Sequence, residues 1–378
     1  MELVLKMRKM KKNSRENTFN HLNPQYIYDN NCSYPMDIKC GGHENTQELI
    51  VEQKETLQPR LLINKNPNNF SRITDYKKGF PIDKVKDGSI IKLFDKTPIP
   101  ENPSDVVCPH FYELKWANGC NFNCAWCYLN GTYRFLSGGK KPRLKNVDTI
   151  MDHLDYFLKN VDGNYLLNSG ELSDSLLFEN DGAPLSRKII PRIIQQDKHK
   201  LLILTKSTDV EHLLELNAQH HVITSFSLNS FKVANKWEKA PKVSDRIKAA
   251  KKLYDAGYEV RVRIDPMVPL DNWRQEYTSL VDIIFNNFAP ERITLGSLRG
   301  LQSTINNSKD TSWIKYLTET SNWGKKVGTG HRLAMYSTII NTLKNKYDYS
   351  KIALCKETID MWKKLNLDYK KIQCNCTL

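Results

Sequence analysis

Three cysteines near the middle of the chain are the residues best suited to metal chemistry. Cys120, Cys124 and Cys127 have the spacing Cys-x3-Cys-x2-Cys. A structural zinc site normally takes four sulfur or nitrogen ligands, and no further Cys or His completes such a set within this motif. Three thiolates instead suit a cubane [4Fe-4S] cluster in which one iron stays open to another ligand. The motif therefore predicts an iron–sulfur site with an iron available for chemistry.

From Tyr112 onward, short apolar runs alternate with amphipathic segments. Such alternation is typical of repeated βα units that form a parallel sheet. We predict strands over residues 112–117, 165–168, 201–205, 222–228, 259–264 and 293–297, and helices over 147–158, 243–256 and 273–285. The predicted fold class is α/β, a partial (β/α)6 barrel of the TIM type. Such barrels carry out chemistry at the carboxyl ends of their strands, and the cysteine motif directly follows the first strand.

The chain divides into three predicted regions. Residues 1–105 are rich in Asn, Lys and Pro and are predicted to form a partly irregular N-terminal extension. Residues 106–300 are predicted to form the core barrel. Residues 301–378 are predicted to form an α-rich segment that ends in a Cys-x-Cys pair.

The bulk composition favours some partners over others. The 378-residue chain has 56 Lys plus Arg against 42 Asp plus Glu, a net charge of +14. This charge attracts polyanions, which makes DNA or RNA a candidate partner, although a solvated Lys-rich surface explains the charge equally well. No stretch approaches the roughly 18 apolar residues of a membrane span, and nine cysteines are few for a disulfide scaffold. We expect a cytoplasmic protein without a membrane partner.

The cysteine motif, with Trp126 before its last cysteine and Tyr128 after it, resembles the signature of the radical S-adenosylmethionine (SAM) enzymes. The resemblance implies the same partial barrel and a [4Fe-4S] cluster whose open iron chelates SAM. It implies that SAM is cleaved reductively to a 5'-deoxyadenosyl radical, which abstracts hydrogen from a substrate. An external one-electron donor of the flavodoxin or ferredoxin type is also implied.

The same resemblance suggests roles for polar residues at successive strand ends. Gly170 and Glu171 resemble the Gly-Gly-Glu motif that binds the SAM ammonium group, and Lys206 is a candidate partner for the SAM carboxylate. The remaining cofactor-binding candidates are Ser227, Asn229 and Asp265. Polar residues are common in loops at strand ends, so the recurrence at successive strands is what indicates a SAM site.

Segments from about Lys92 to the end of the chain are similar in order and spacing to the spore photoproduct lyase family. In that family a cysteine near the second strand end returns hydrogen to the product, and Glu171 occupies the aligned position here. The family also uses two tyrosines around the third cluster cysteine; this chain keeps Tyr128 and has Trp126 in place of the other. Tyr128 and Glu171 are therefore the candidate catalytic residues, and we expect chemistry different from that of the authentic lyase.

Cys355, Cys374 and Cys376 have two interpretations. In the first they form a second site for a metal or a cluster, with Cys108 or His110 as a fourth ligand. In the second, Cys355 is a buried apolar residue and the other two are exposed thiols.

The substrate is predicted with less detail than the cofactors. Arg299, Arg332 and Tyr336 are the candidate contacts, because a guanidinium pairs well with phosphate. The leading hypothesis is a radical SAM enzyme that acts on nucleic acid, with lyase-like or base-modifying repair chemistry. The alternatives are a radical SAM enzyme that modifies a peptide or small metabolite, and a non-catalytic iron–sulfur redox protein.

Overall fold

The computed structural model describes residues 71–72, 80–94, 96–181 and 184–378, which fall within one compact unit of the chain. Most of the predicted N-terminal extension lies outside these residues. The strands, numbered in chain order, are β1 (Ser71–Arg72), β2 (Ile91–Phe94), β3 (Val106–Val107), β4 (Phe111–Leu114), β5 (Ala117–Asn118), β6 (Arg143–Leu144), β7 (Leu166–Asn168), β8 (Lys200–Thr205), β9 (Val222–Leu228), β10 (Glu259–Met267), β11 (Ile293–Ser297), β12 (Arg299–Gly300), β13 (Glu319–Ser321), β14 (Gly324–Lys326), β15 (Ile352–Leu354), β16 (Glu357–Thr358) and β17 (Lys371–Ile372).

Eight strands form one sheet in the order β15-β11-β10-β9-β8-β7-β4-β2. Every neighbouring pair in it is parallel except β2 with β4. Strands β4 and β7 to β11 correspond to the six predicted strands, so the predicted α/β fold of the partial TIM type is confirmed. The sheet also extends beyond residues 106–300, because β2 comes from the predicted extension and β15 from the predicted α-rich segment.

Helices follow most of the parallel strands. They are α1 (Leu129–Thr132), α2 (Val147–Asn160), α3 (Ser186–Ile193), α4 (Glu211–Glu215), α5 (Phe231–Trp237), α6 (Val243–Asp255), α7 (Trp273–Asn287), α8 (Gln302–Asn307), α9 (Thr329–Tyr347) and α10 (Ile359–Lys364), with a 3-10 helix at Ile314–Tyr316. The three helices predicted from the sequence correspond to α2, α6 and α7. None of the helices in the described part of the chain is long and apolar enough to span a bilayer.

Helix α2 shows how local sequence produces these elements. Asn146 caps its first turn, with the side-chain oxygen accepting a hydrogen bond from the Thr149 backbone amide at 2.9 Å. Ile150, Leu154 and Phe157 recur at a spacing of three and four residues, so they share one face of the helix. All three are buried in the main hydrophobic core. The cap fixes where α2 begins, and the apolar stripe fixes which side it buries.

Strand β10 places charge inside the barrel. Side chains of a strand alternate between its two faces, so the charged positions 259, 261, 263 and 265 share one face while the apolar positions between them pack in the core. On the charged face, Arg261 donates hydrogen bonds to the backbone oxygens of Asn375 at 2.9 Å and Thr377 at 2.5 Å. Leu378 packs against a small apolar cluster from β7, β8 and β9. The segment 374–378 therefore fills part of the barrel interior.

Candidate active site

The carboxyl ends of the parallel strands open into a cavity of about 410 Å³. Most of the predicted site residues line it, although they come from widely separated parts of the chain. The predicted residues that line it are Cys120, Cys124, Cys127, Tyr128, Gly170, Glu171, Lys206, Ser227, Asp265, Arg299, Cys355, Cys374 and Cys376. The barrel thus brings the cysteine motif, the strand-end polar residues and the later cysteines to one place.

The loop that carries the cysteine motif is held by backbone contacts. Gly119 adopts a φ of +87°, and a side-chain Cβ there would lie 2.4 Å from the Lys141 carbonyl oxygen, so only glycine fits. The amide of Gly119 donates to the Leu172 oxygen at 2.8 Å, and that of Cys120 to the Lys140 oxygen at 2.9 Å. The geometry of the motif is thereby fixed before any ligand binds.

The three thiols are candidate ligands for a cluster at the mouth of the first strand. Among the described residues, no three His, Cys, Asp or Glu side chains are arranged to hold one metal ion. In a cubane each thiolate binds a different iron, so its ligands surround a volume and do not converge on a point. Burial raises the pKa of Cys120 and of Cys124 to about 12. Thiols with such a pKa become thiolates when a bound metal supplies the compensating positive charge.

Tyr128 and Glu171 are joined to each other at the cavity wall. The Tyr128 hydroxyl donates a hydrogen bond to the Glu171 backbone oxygen. The Glu171 carboxylate accepts one from the Asn168 side-chain amide at 3.2 Å, and the Asn168 side-chain oxygen accepts from the Gly170 amide at 2.9 Å. A Cβ at Gly170 would lie 2.5 Å from the Leu204 side chain, which explains the glycine. Sequence reasoning missed Asn168, although it stands two residues before the glycine at the same strand end.

Lys206 provides a cation in the same cavity. Its ammonium lies 3.6 Å from Glu238 Oε1, which is buried and accepts no hydrogen bond from the described residues. The other Glu238 oxygen accepts from Arg246 at 2.7 Å. The Lys206 backbone amide donates to Asp174 at 2.7 Å, which fixes the strand end. A cation at Lys206, a carboxylate at Glu171 and the cysteine motif on one cavity are a donor set that fits a cluster-bound amino acid such as SAM.

Asp265 forms an ion-pair network that also lines the cavity. Its carboxylate accepts from Arg299 at 2.8 and 2.9 Å and from Arg263 at 3.1 Å. Burial opposes ionisation of Asp265, but Arg299 and Arg263 outweigh it and hold the pKa of this carboxyl well below its usual range. Arg263 in turn donates to Cys355 Sγ at 2.7 Å. Sequence reasoning missed Arg263; the alternation of charged and apolar residues along β10 is the signal that points to it.

The structure corrects the prediction for Asn229. Its side-chain amide donates to the Pro266 oxygen at 2.8 Å, and its oxygen accepts from the Tyr277 hydroxyl at 3.0 Å. Asn229 is fully buried and does not line the cavity. It joins β9 to the end of β10 and is therefore a structural residue.

The predicted substrate contacts at Arg332 and Tyr336 are also corrected. Both lie on α9 and are buried against the Glu357 carboxylate, to which each donates a hydrogen bond. Neither lines the cavity. A buried carboxylate requires charged and hydrogen-bonding partners, and Lys326 adds a second cation at 3.5 Å. Arg299 alone of the three candidates lines the cavity, where it is paired with Asp265.

A parallel α/β partial barrel with a three-cysteine motif at the mouth of its first strand defines the class of the radical SAM proteins. The family model for spore photoproduct lyase matches residues 106–296, about half of the chain. The chain belongs to the spore photoproduct lyase family.

Individual relatives agree with this assignment. Spore photoproduct lyase of Clostridium acetobutylicum is 28% identical over 175 residues, which cover 45% of this chain and 50% of the relative. The Bacillus subtilis lyase is 27% identical over the same length, with the same shares of the two chains. The chain therefore spans about half the length of the curated relatives it matches.

Solved structures show the same fold. A complex of spore photoproduct lyase with dinucleoside spore photoproduct aligns with a TM-score of 0.54 and 20% identity over 64% of this chain and 75% of the lyase. A mutant lyase with bound AdoMet and the same dinucleoside aligns with a TM-score of 0.53 and 20% identity. This alignment covers 65% of this chain and 76% of the lyase.

Proposed function

We propose that this protein binds a [4Fe-4S] cluster through Cys120, Cys124 and Cys127 and binds SAM in the adjoining cavity, and that it abstracts hydrogen from a nucleic-acid substrate. The observation that carries the proposal is the shared cavity: the three thiols line it together with Glu171 and Lys206. When bound, the cluster and SAM would supply reductive cleavage to a 5'-deoxyadenosyl radical. The reaction requires an external one-electron donor, for which we propose a flavodoxin or ferredoxin.

The residues of this chain bind and orient the reactants. Lys206 neutralises the SAM carboxylate, and Glu171 accepts hydrogen bonds from the SAM ammonium group. The hydrogen bond from Tyr128 to the Glu171 backbone ties the cysteine motif to the second strand end, so that the cluster and the ammonium site keep a fixed separation. The apolar cavity lining, which includes Phe122 and Trp126, excludes water from the reacting atoms.

Nucleic acid is the proposed substrate class for two reasons. The net charge of +14 favours association with a polyanion. A lyase of the same fold forms a complex with dinucleoside spore photoproduct, which supports a ligand of this chemical class. A base in duplex DNA would have to leave the stack to reach a cavity of about 410 Å³. We propose that the reaction differs from that of the lyase, because Glu171 stands where the family carries its hydrogen-donor cysteine.

Hydrogen transfer from labelled nucleic acid tests this proposal. Anaerobically reconstituted protein is incubated with SAM, a reductant and deuterated duplex DNA, UV-damaged DNA or tRNA. Deuterium in 5'-deoxyadenosine from one of these, with binding that weakens as salt rises, supports the proposal. If the protein binds no nucleic acid at low salt, and label is transferred instead from a peptide or metabolite of a cell extract, the substrate belongs to one of those classes and not to nucleic acid. Rapid reversal of authentic spore photoproduct would refute the predicted difference from the lyase.

A further inference from the structure

Four cysteines outside the cluster motif line the same cavity. They are Cys108, Cys355, Cys374 and Cys376, and they come from three separate segments of the chain. The proposed SAM reaction assigns no role to them. The alternative with exposed terminal thiols is wrong, because Cys374 is buried and Cys376 is partly buried.

Strand pairing brings the first two cysteines together. Cys108 directly follows β3, and Cys355 directly follows β15, the last parallel strand. Strand β16 begins two residues after Cys355 and pairs with β3, with Val107 opposite Glu357. This pairing holds residue 108 next to the turn between β15 and β16.

The last two cysteines are held in place by buried arginines. Arg261 donates to the Asn375 backbone oxygen at 2.9 Å, and Arg292 to the Cys374 backbone oxygen at 3.2 Å. The Asn375 amide nitrogen also donates to Thr294 Oγ1 at 2.9 Å. Burial of an arginine is costly unless its hydrogen bonds are well made. The barrel therefore fixes the backbone on both sides of the Cys-x-Cys pair, and each thiol faces the cavity.

The local charge favours an anionic occupant. Arg263 and Arg299 donate to Cys355 Sγ at 2.7 and 3.4 Å. The same two arginines share the single carboxylate of Asp265. One positive charge in this group thus lacks a carboxylate partner, and a cluster with four thiolate ligands carries net negative charge. Hydrogen bonds to cluster sulfurs are also a recognised part of such sites.

We infer that Cys108, Cys355, Cys374 and Cys376 bind a second iron–sulfur cluster with four cysteine ligands. Four cysteines are the usual ligand set of a [4Fe-4S] cluster. A zinc ion held by the same four thiols is the competing occupant, and the zinc measurement below distinguishes the two. His110 is not the fourth ligand, because its Nε2 lies 3.0 Å from the Thr97 oxygen and it does not line the cavity.

Iron counting on the full chain tests the second cluster. The protein is reconstituted anaerobically with ferrous iron and sulfide, and iron, sulfide and zinc are measured per chain. Wild type should hold about eight irons, and the variant with Cys120, Cys124 and Cys127 all changed to Ala should retain about four. Changing Cys108, Cys355, Cys374 and Cys376 to Ser should also leave about four, with a reduced-cluster EPR signal that SAM still perturbs. A control with Cys32→Ala and Cys40→Ala, the two cysteines that belong to neither set, should match wild type.

Three results would overturn the inference. The first is that the variant with Cys120, Cys124 and Cys127 changed to Ala holds no iron. The second is that this variant holds zinc and no iron. The third is that wild type holds about four irons and has a disulfide between Cys374 and Cys376. The motif variant decides the matter even where the four-serine variant fails to fold. The motif variant lacks the SAM-binding cluster, so its iron content does not depend on the proposed SAM chemistry. Failure of the second-cluster inference and failure of the proposed function are therefore recognised separately.

Discussion

The Asp265 carboxylate holds the Arg299 guanidinium with both oxygens, at 2.8 and 2.9 Å, in the buried wall of the cavity. Two parallel N–H···O bonds fix the plane of the guanidinium as well as its charge. This geometry directs one nitrogen of Arg299 towards Cys355 Sγ, at 3.4 Å. The pair therefore connects the strand end at Asp265 with the cysteines of the later segment.

Removal of this carboxylate should be strongly destabilising. In Asp265→Asn, Arg263 and Arg299 stay buried without a counter-charge, so we expect the free energy of unfolding to fall by about 3–5 kcal/mol. The matched control is Asp255→Asn, which breaks the exposed pair with Lys251 at 2.6 Å and should cost less than about 1 kcal/mol. Urea unfolding at neutral pH measures both. Equal, small losses would contradict the description of a buried network.

Gly296 should tolerate no side chain, because it faces the same carboxylate. A Cβ at Gly296 would lie 2.4 Å from Asp265 Oδ1, so Gly296→Ala must displace the ion pair. We expect a loss of about 1–3 kcal/mol in unfolding free energy. Gly330→Ala is the control, since no atom lies within 4 Å of a Cβ there and α9 favours alanine. A Gly296→Ala variant as stable as Gly330→Ala would show that Asp265 has room to move.

Glu113 should make stability fall with rising pH. Burial, reinforced by the charge of Glu171, raises the pKa of Glu113 from 4.5 to about 7. The folded state therefore retains a proton that the unfolded state loses, so the stabilisation is complete below pH 4.5 and is lost as pH rises to about 7. The loss amounts to about 3 kcal/mol.

The variant Glu113→Gln isolates this effect. Its unfolding free energy should lack the decline between these pH values, whereas Glu101→Gln, at an exposed position, should follow wild type. Chemical unfolding at a series of pH values is the measurement. A decline that persists unchanged in Glu113→Gln would assign it to another group.

Lys206 should contribute to SAM affinity and leave the cluster intact. Loss of a charge-assisted hydrogen bond costs about 1.5–3 kcal/mol, so Lys206→Gln should raise the Kd for SAM about 10- to 100-fold. Equilibrium dialysis with reconstituted protein measures the Kd, and iron content confirms the cluster. Lys232→Gln is the control, since Lys232 is exposed and pairs loosely with Glu276 at 3.9 Å. Equal SAM affinity in both variants would remove Lys206 from the proposed site.

The parallel core was predictable because its signals are local. Strand β9, Val222–Leu228, is buried at every position and is bounded by polar residues, so its run of residues identifies it without knowledge of its neighbours. Strands β2 and β15 lacked such a signal. They lie outside the repeated βα pattern, and only their pairing with β4 and β11 makes them part of the sheet.

The position of candidate residues on the cavity was predictable where a strand end fixes their direction. Glu171 and Lys206 follow parallel strands, and the ends of such strands meet at one edge of the sheet. Arg332 and Tyr336 lie on α9, and their direction depends on Glu357, which lies 21 or more residues away in the sequence. Nothing in the local sequence shows that α9 turns this face towards a buried carboxylate.

Formation of 5'-deoxyadenosine tests the central claim most directly. Reconstituted, reduced wild type should convert SAM to 5'-deoxyadenosine and methionine, as should the Cys32→Ala, Cys40→Ala control. The variant with Cys120, Cys124 and Cys127 all changed to Ala should form none. Wild type that holds a reduced [4Fe-4S] cluster, yet neither binds SAM nor forms 5'-deoxyadenosine, would contradict the assignment of the cavity as a radical SAM site.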